Sequence, residues 1–204
     1  MRFMDIRHMQ LGMAPAVVGR VSFTGDLGYE IWCKPEYQRY LFDLLMSAGT
    51  EHGIRLFGSR ALNALRLEKS FGSWAREYRP VYGPLEAGLD RFIAYNKDAD
   101  FIGKAAATAA RDADGGMRLR TFIVDAKGAD VIGDEPIFHA GKICGWVTSG
   151  GYAHASQASV AMGYVPADIA DASDDWTIEL LGDALRATPL TNALFDHNGE
   201  RMRG

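Results

Sequence analysis

Asp112-Ala113-Asp114-Gly115-Gly116, running on through Met117 and Arg118 into Leu119-Arg120-Thr121-Phe122-Ile123-Val124-Asp125, marks a change in the texture of the chain. Upstream, apolar residues recur at helical spacing. Downstream they fall in short runs rich in Val, Ile, Phe and Tyr, separated by Gly and Asp, which is the pattern of strands joined by turns. The Asp- and Gly-rich stretch is the linker candidate. Beyond it the strand candidates are Leu119–Asp125, Pro136–His139, Lys142–Thr148, Ser159–Val165 and Trp176–Leu181, with Ala140-Gly141 as a hairpin loop. Five short strands with no helical stretch between them predict a small Greek-key β-barrel rather than a βαβ sheet.

Upstream, Ala16–Phe23 and Leu27–Cys33 are β-rich runs joined by the turn Thr24-Gly25-Asp26. Pro35-Glu36 opens a helix to about Gly49, with Tyr37, Leu41, Leu44 and Leu45 on one face. Ser59 is a plausible N-cap for a second helix whose stripe is Ala61, Leu62 and Leu65. That places Arg60 in the first turn, where a cation opposes the helix dipole and hints at a compensating contact. After a loop around Trp74 and Tyr78 come a compact segment from Pro84 to Asn96 and an Ala-rich helix, Ile102–Arg111. The fold class expected is α+β, with a mixed unit over residues 1–112 and the barrel over 117–204.

A chain of 204 residues, 48% hydrophobic and 24% charged, can bury a sizeable core. A net charge of -4 argues against a general nucleic-acid binder, which needs clustered Lys and Arg. Cys33 and Cys144 stand alone, outside any C-x-x-C spacing, and are expected as unpaired thiols in a reducing compartment. No apolar run approaches the roughly 20 residues needed to span a bilayer, and the amino terminus has no signal-sequence logic. Met1 reads equally well as an internal start and as a natural one.

His8, His52, His139, His154 and His197 are scattered without ligand spacing, so no metal site is expected. No G-x-S-x-G elbow occurs, and Gly25-Asp26-Leu27-Gly28 lacks the third glycine and the helix of a phosphate loop. What remains is Glu30, a carboxylate between Tyr29 and Ile31-Trp32. By itself it is either an outward-facing strand residue or a partly buried acceptor that needs a partner.

The stretch Ser22-Phe23-Thr24-Gly25-Asp26-Leu27-Gly28-Tyr29-Glu30 resembles the Y-T-G-E-x-G-x-E signature of the glycine-cleavage T-proteins and their relatives. Ser59 to Lys69, ending Leu65-Arg66-Leu67-Glu68-Lys69, is similar to that family's R-x-x-L-R-L-E helix. Trp74, Pro84-Leu85-Glu86-Ala87-Gly88 and Asp100-Phe101-Ile102-Gly103-Lys104 bring it nearest to the dimethylglycine and sarcosine dehydrogenases. Gly145-Trp146-Val147-Thr148-Ser149-Gly150, Met162-Gly163-Tyr164-Val165-Pro166 and the tail from Phe195 to Arg203 continue the resemblance in order.

The resemblance implies an aminomethyltransferase-like folate-binding α/β region followed by the small Greek-key barrel, serving one-carbon transfer with tetrahydrofolate as cofactor. It implies Glu30 as acceptor for the pterin edge, Arg60 as a site arginine, Arg120, with Arg118 beside it, facing the folate tail, and Tyr29 and Phe92 as ring contacts. Phe23 and Phe195 stand where the family carries tyrosines, which removes two hydroxyls. The family's transfer aspartate and, in the dehydrogenases, an FAD domain lie ahead of the matching region, so a fragment is expected and the catalytic residue is left unassigned. Partners implied are folate and a small methylated amine or aminomethyl donor, without nucleic acid or membrane, in the cytoplasm or the mitochondrial matrix. The rival expectation is a non-catalytic folate-binding or scaffold module.

Overall fold

The computed structural model describes residues 1–113 and 115–204. Asp114, inside the expected linker, lies outside the described residues. The chain opens on three antiparallel strands in the order β1 (Ile6–Leu11), β2 (Ala14–Gly19), β3 (Glu30–Cys33). Ala14, Ala16 and Val18 of β2 are buried, whereas β1 is exposed along nearly its whole length. β1 was not expected from Ile6-Arg-His-Met-Gln-Leu11, because a strand without a buried face has no alternation to show.

β2 and β3 pair with Gly19 opposite Glu30, so the expected hairpin exists but its strands are shorter than Ala16–Phe23 and Leu27–Cys33. Residues 20–29 form a loop instead. Side chains there find partners that compete with pairing: the Gly25 N–H donates to Ser22 Oγ at 3.0 Å, and the Arg20 guanidinium donates to the carbonyls of Met1 at 2.8 Å and Arg203 at 2.6 Å.

A 3-10 turn at Pro35–Tyr37 leads into α1 (Gln38–Gly49), which buries Leu41, while Leu45 on the same expected face is 40% exposed. The next helix, α2 (Ser59–Glu68), starts one residue earlier than expected: Gly58 is the N-cap and Ser59 the first helical residue, with no side-chain cap. The Ala-rich helix α3 (Lys104–Ala113) is displaced two residues toward the carboxyl end.

Six antiparallel strands close the barrel: β4 (Met117–Val124), β5 (Pro136–His139), β6 (Lys142–Ala153), β7 (Ala158–Pro166), β8 (Trp176–Leu180) and β9 (Asp183–Pro189). Their order, β4-β7-β6-β5-β8-β9, is a Greek key, since the β5-β6-β7 meander lies beside a β4 reached by a long connection. A short helix, α4 (Glu200–Arg203), ends the chain. The core contains Phe122, Ile137, Val147, Val165, Trp176 and Ile178, all at most 2% exposed. Gly163 is required for strand closeness, because a Cβ there would lie 2.5 Å from the Trp146 carbonyl oxygen and from Ile137 Cδ1.

The barrel differs from expectation by one strand. β9 reads Asp183-Ala-Leu-Arg-Ala-Thr-Pro189, short of aromatic and branched residues, yet it hydrogen-bonds both β8 and β4 and closes the cylinder. Closure supplies a partner on both sides, which overrides weak strand propensity.

Candidate functional site

The 20–29 loop, the end of α2 and the carboxyl-terminal tail are fastened to one another. Gly25, at φ +89°, presses on the aliphatic stem of Lys69, where a Cβ would lie 2.6 Å from Cδ; only glycine satisfies both the angle and the space. The Lys69 ammonium donates to the Asp196 carbonyl, lies 3.7 Å from the Asp196 carboxylate and stands 5.8 Å from the Phe71 ring centre. Phe71 in turn stacks on Phe23 of the loop, 6.3 Å between centroids. Asp26 takes an ion pair from Arg201 at 2.5 Å. Asp196 caps α4 by accepting the N–H groups of Glu200 at 3.0 Å and Arg201 at 3.1 Å. Burial opposes its ionisation, but those N–H groups and the Lys69 charge win, holding the carboxyl below the usual carboxylate range.

Tyr29 and Glu30 leave this fastened loop at the start of β3, both exposed. Neither Glu30 oxygen accepts a hydrogen bond from the described residues, so both remain available for a ligand that offers two donors. Phe195 is tied in beside the loop: its N–H donates to the Glu68 carbonyl at 3.0 Å and Arg201 lies 5.3 Å from its ring centre.

The other expected site residues are placed elsewhere. Arg60 is exposed, with no ion pair or hydrogen bond from its side chain among the described residues. Its spacing also differs from the R-x-x-L-R-L-E pattern: counting back three from Leu65 reaches the half-buried Leu62, and two residues amount to about 200° around a helix. Arg120 donates from Nε to the Ala170 carbonyl at 2.8 Å and pairs with the Asp171 carboxylate, so its guanidinium fastens the turn before β8 to the barrel. Arg118 donates to the carbonyls of Gly115 at 2.9 Å and Met117 at 3.0 Å. Phe92 is 71% exposed on a 3-10 turn, with the Arg91 guanidinium 4.8 Å from its ring centre. No group of three or more possible metal-ligating side chains occurs among the described residues.

What the sequence reading missed is the charged core that joins α2 to the barrel. Arg66 and Glu77 are 3% and 0% exposed and pair at 3.4 Å. The Arg66 guanidinium also bonds Asn63 Oδ1 at 2.7 and 3.0 Å and the Phe71 carbonyl at 3.1 Å. Burial pushes its pKa down, and the Glu77 carboxylate pulls it back up. A register shift in the β6-β7 pairing, between Val147 and Ser149, re-aims side chains so that the Thr148 hydroxyl, at 2.6 Å, and the adjacent Ser149 hydroxyl both donate to Glu77 Oε1. Glu77 Oε2 accepts the Ser73 N–H at 2.7 Å. One residue past Leu67, Glu68 accepts the Ala155 N–H at 3.0 Å and the Ser156 hydroxyl at 2.8 Å. The signal for Arg66, Glu68 and Lys69 was present as Leu65-Arg66-Leu67-Glu68-Lys69, charges alternating with core leucine; nothing in Trp74-Ala75-Arg76-Glu77 marked Glu77 as buried.

A small sheet with helices running into a closed six-stranded Greek-key barrel defines an aminomethyltransferase-type chain. The aminomethyltransferase T of the Bartonella henselae glycine cleavage system matches this fold with TM-score 0.84, over 97% of this chain and 54% of that one, at 23% identity. The GCVT N-terminal domain matches residues 1–97 and the glycine cleavage T-protein C-terminal barrel domain matches residues 118–196. The chain belongs to the glycine-cleavage T-protein family. Mitochondrial dimethylglycine dehydrogenase of Mus musculus is 39% identical over 202 residues, 99% of this chain and 23% of that protein. The aminomethyltransferase of Desulfitobacterium hafniense (strain DSM 10664 / DCB-2) is 26% identical over 193 residues, 95% of this chain and 52% of that protein. The chain thus spans about a quarter of the length of the dimethylglycine dehydrogenases it matches.

Proposed function

We propose that this chain supplies the tetrahydrofolate-binding part of a one-carbon transfer enzyme acting on a methylated or aminomethylated amine, with residues 1–112 and 117–204 as its two working units. The observation that carries this reading is Glu30: a carboxylate at the start of β3, both oxygens without a donor among the described residues, beside the exposed Tyr29 ring and next to a loop fastened in place. The pterin ring N–H and exocyclic amine form a two-donor edge, and a carboxylate accepts such an edge through two parallel charge-assisted bonds.

Tetrahydrofolate, when bound, supplies the nitrogens that accept the one-carbon unit. The residues of this chain bind and orient it. Glu30 fixes the pterin, Tyr29 offers a ring face, and Phe195 lies near the same loop without the hydroxyl a tyrosine would add. Arg120 and Phe92 are kept as candidates for the tail and a second ring contact, and the exposed Arg60 as a candidate site arginine. Orientation alone can lower a barrier by about 7 kcal/mol or more in favourable cases. The identity of the donor follows the family: the relatives are named for dimethylglycine and for aminomethyl transfer.

The test is direct binding of tetrahydrofolate to the 204-residue chain by titration calorimetry. Saturable binding with one ligand per chain is the expected result. Absence of binding, with the chain folded by circular dichroism, would overturn the proposal.

A further inference from the structure

Gly19 is buried although it belongs to the open face of the first sheet, and the ring of Trp32 covers it. The antiparallel register sets Ile6, Gly19 and Glu30 side by side across β1, β2 and β3, with His8, Val17 and Trp32 in the next row. Cross-strand partners, and residues two apart on one strand, share a face, so Glu30 and Trp32 project from the same side of the sheet. The other side carries Ala14, Ala16 and Val18, all buried. The indole leans out of its own row toward Glu30's. A Cβ built on Gly19 would lie 2.9 Å from Trp32 Cζ3 and 3.0 Å from Cη2, with Ile6 Cγ1 at 3.8 Å. The missing side chain of Gly19 is what lets a flat ring lie against the backbone directly across from Glu30.

The chain itself makes little use of that ring. Trp32 is 46% exposed, and no aromatic ring or side-chain cation of the described residues stacks on it. A recess of about 520 Å³ adjoins it, lined in part by His8 and Val17, so the indole is reached from solvent. Glu30 and Trp32 start about 7 Å apart along the strand, and the lean brings the ring closer to the carboxylate. A glutamate lifts its carboxylate clear of the sheet, whereas the indole stays against the Gly19 backbone. A planar ligand hydrogen-bonded edge-on to Glu30 is therefore carried out over the indole. The carboxylate alone accepts any two-donor edge, a simple guanidinium as readily as a pterin. A stacking surface beside it adds affinity only for a ligand whose flat ring system extends beyond that edge.

On the reading of Glu30 as the pterin acceptor, we propose that Trp32 is the platform on which the pterin lies, a specificity residue that makes a two-acceptor carboxylate selective for a flat bicyclic ring. Tetrahydrofolate is titrated into the full chain and its variants, followed by calorimetry and by the indole N–H resonance that Trp32→Phe removes from the proton–nitrogen spectrum. Trp32→Leu weakens tetrahydrofolate at least about fivefold, while Trp32→Phe keeps most of the affinity, because a ring face is what is required. Gly19→Ala, whose Cβ displaces the indole, weakens binding in the parent and adds nothing in the Trp32→Leu background. In the parent the Trp32 resonance shifts on saturation, which a tryptophan of purely structural role does not do, and 6-methyltetrahydropterin, the head without the tail, shifts the same resonance. An unmoved resonance, or a shift given by 4-aminobenzoylglutamate and not by the pterin, overturns the proposal. Tetrahydrofolate that fails to bind the parent refutes the Glu30 reading and the platform with it. Affinity that falls for Glu30→Gln but not for Trp32→Leu refutes the platform alone.

Discussion

Glu77→Gln removes one charge from the middle of the molecule while keeping its shape, and the structure determines what that costs. Every group facing the carboxylate is a donor: the Arg66 guanidinium at 3.4 Å, the Ser73 N–H at 2.7 Å, the Thr148 hydroxyl at 2.6 Å, and the Ser149 hydroxyl. The amide leaves Arg66, 3% exposed, without a counter-charge and turns an –NH2 toward donors. Removing one partner of a buried ion pair costs about 3–5 kcal/mol, because the other charge stays buried and unpaired. For a chain of this size each kcal/mol corresponds to about 2–4 °C in Tm, so the melting temperature should fall by on the order of 10 °C. Urea and thermal unfolding followed by circular dichroism measure it. The double variant Arg66→Met/Glu77→Met should lose less than Glu77→Gln, since apolar replacement of both partners leaves no orphaned charge. A Glu77→Gln chain within about 0.5 kcal/mol of the parent, the range of ordinary surface changes, would refute the claim that the buried Arg66–Glu77 pair holds α2 to the barrel.

Lowering the pH should release the tail before the barrel: the Asp196 pKa is depressed in the folded state, so the stabilisation it contributes is present above the ordinary carboxylate range and lost as pH falls through the folded value. Amide exchange at Glu200 and Arg201, followed down in pH until the barrel itself unfolds, reads this, and protection lost only together with that of the barrel would count against the stabilising role of Asp196. Gly163→Ala should destabilise by about 1–3 kcal/mol in urea, since its Cβ has no room between Ile137 and the Trp146 carbonyl. Cys33 and Cys144 are unpaired, so alkylation of the unreduced, unfolded chain should add two labels, and Cys144 in the native chain should react slowly because burial pushes its thiol pKa up. A mass spectrum showing an intramolecular disulfide would contradict the first part.

The barrel was legible because its core strands carry Phe122, Ile123, Val160, Tyr164 and Ile178 in short runs between turn residues, and burial on the inner face demands that pattern. β9 and β1 were not legible for opposite reasons. β9 is held by hydrogen bonds on both edges and needs little side-chain signal, and β1 is exposed and so carries no alternation. Glu30, a candidate from its signature, lies at the start of β3 as a solvent-facing carboxylate. The fastening of its loop was not legible, because Lys69, Asp196 and Arg201 are far apart in sequence and their pairing depends on the tail folding back. Arg120 was placed by likeness to a motif, and only the coordinates reveal that Ala170 and Asp171 engage it.

The most direct test of the central claim is the tetrahydrofolate affinity of Glu30→Gln against the parent chain, with Glu36→Gln as the exposed control. Replacing one carboxylate oxygen by –NH2 opposes a donor to a donor and removes the charge from two hydrogen bonds, each worth roughly 1.5–3 kcal/mol when charge-assisted. Since 1.4 kcal/mol is about a factor of ten, Kd should rise at least tenfold. Glu36→Gln should leave Kd unchanged, and the melting temperature should stay the same in both variants. A Glu30→Gln chain that binds tetrahydrofolate as tightly as the parent would make Glu30 an ordinary solvent-facing strand residue and remove the pterin contact on which the proposed function rests.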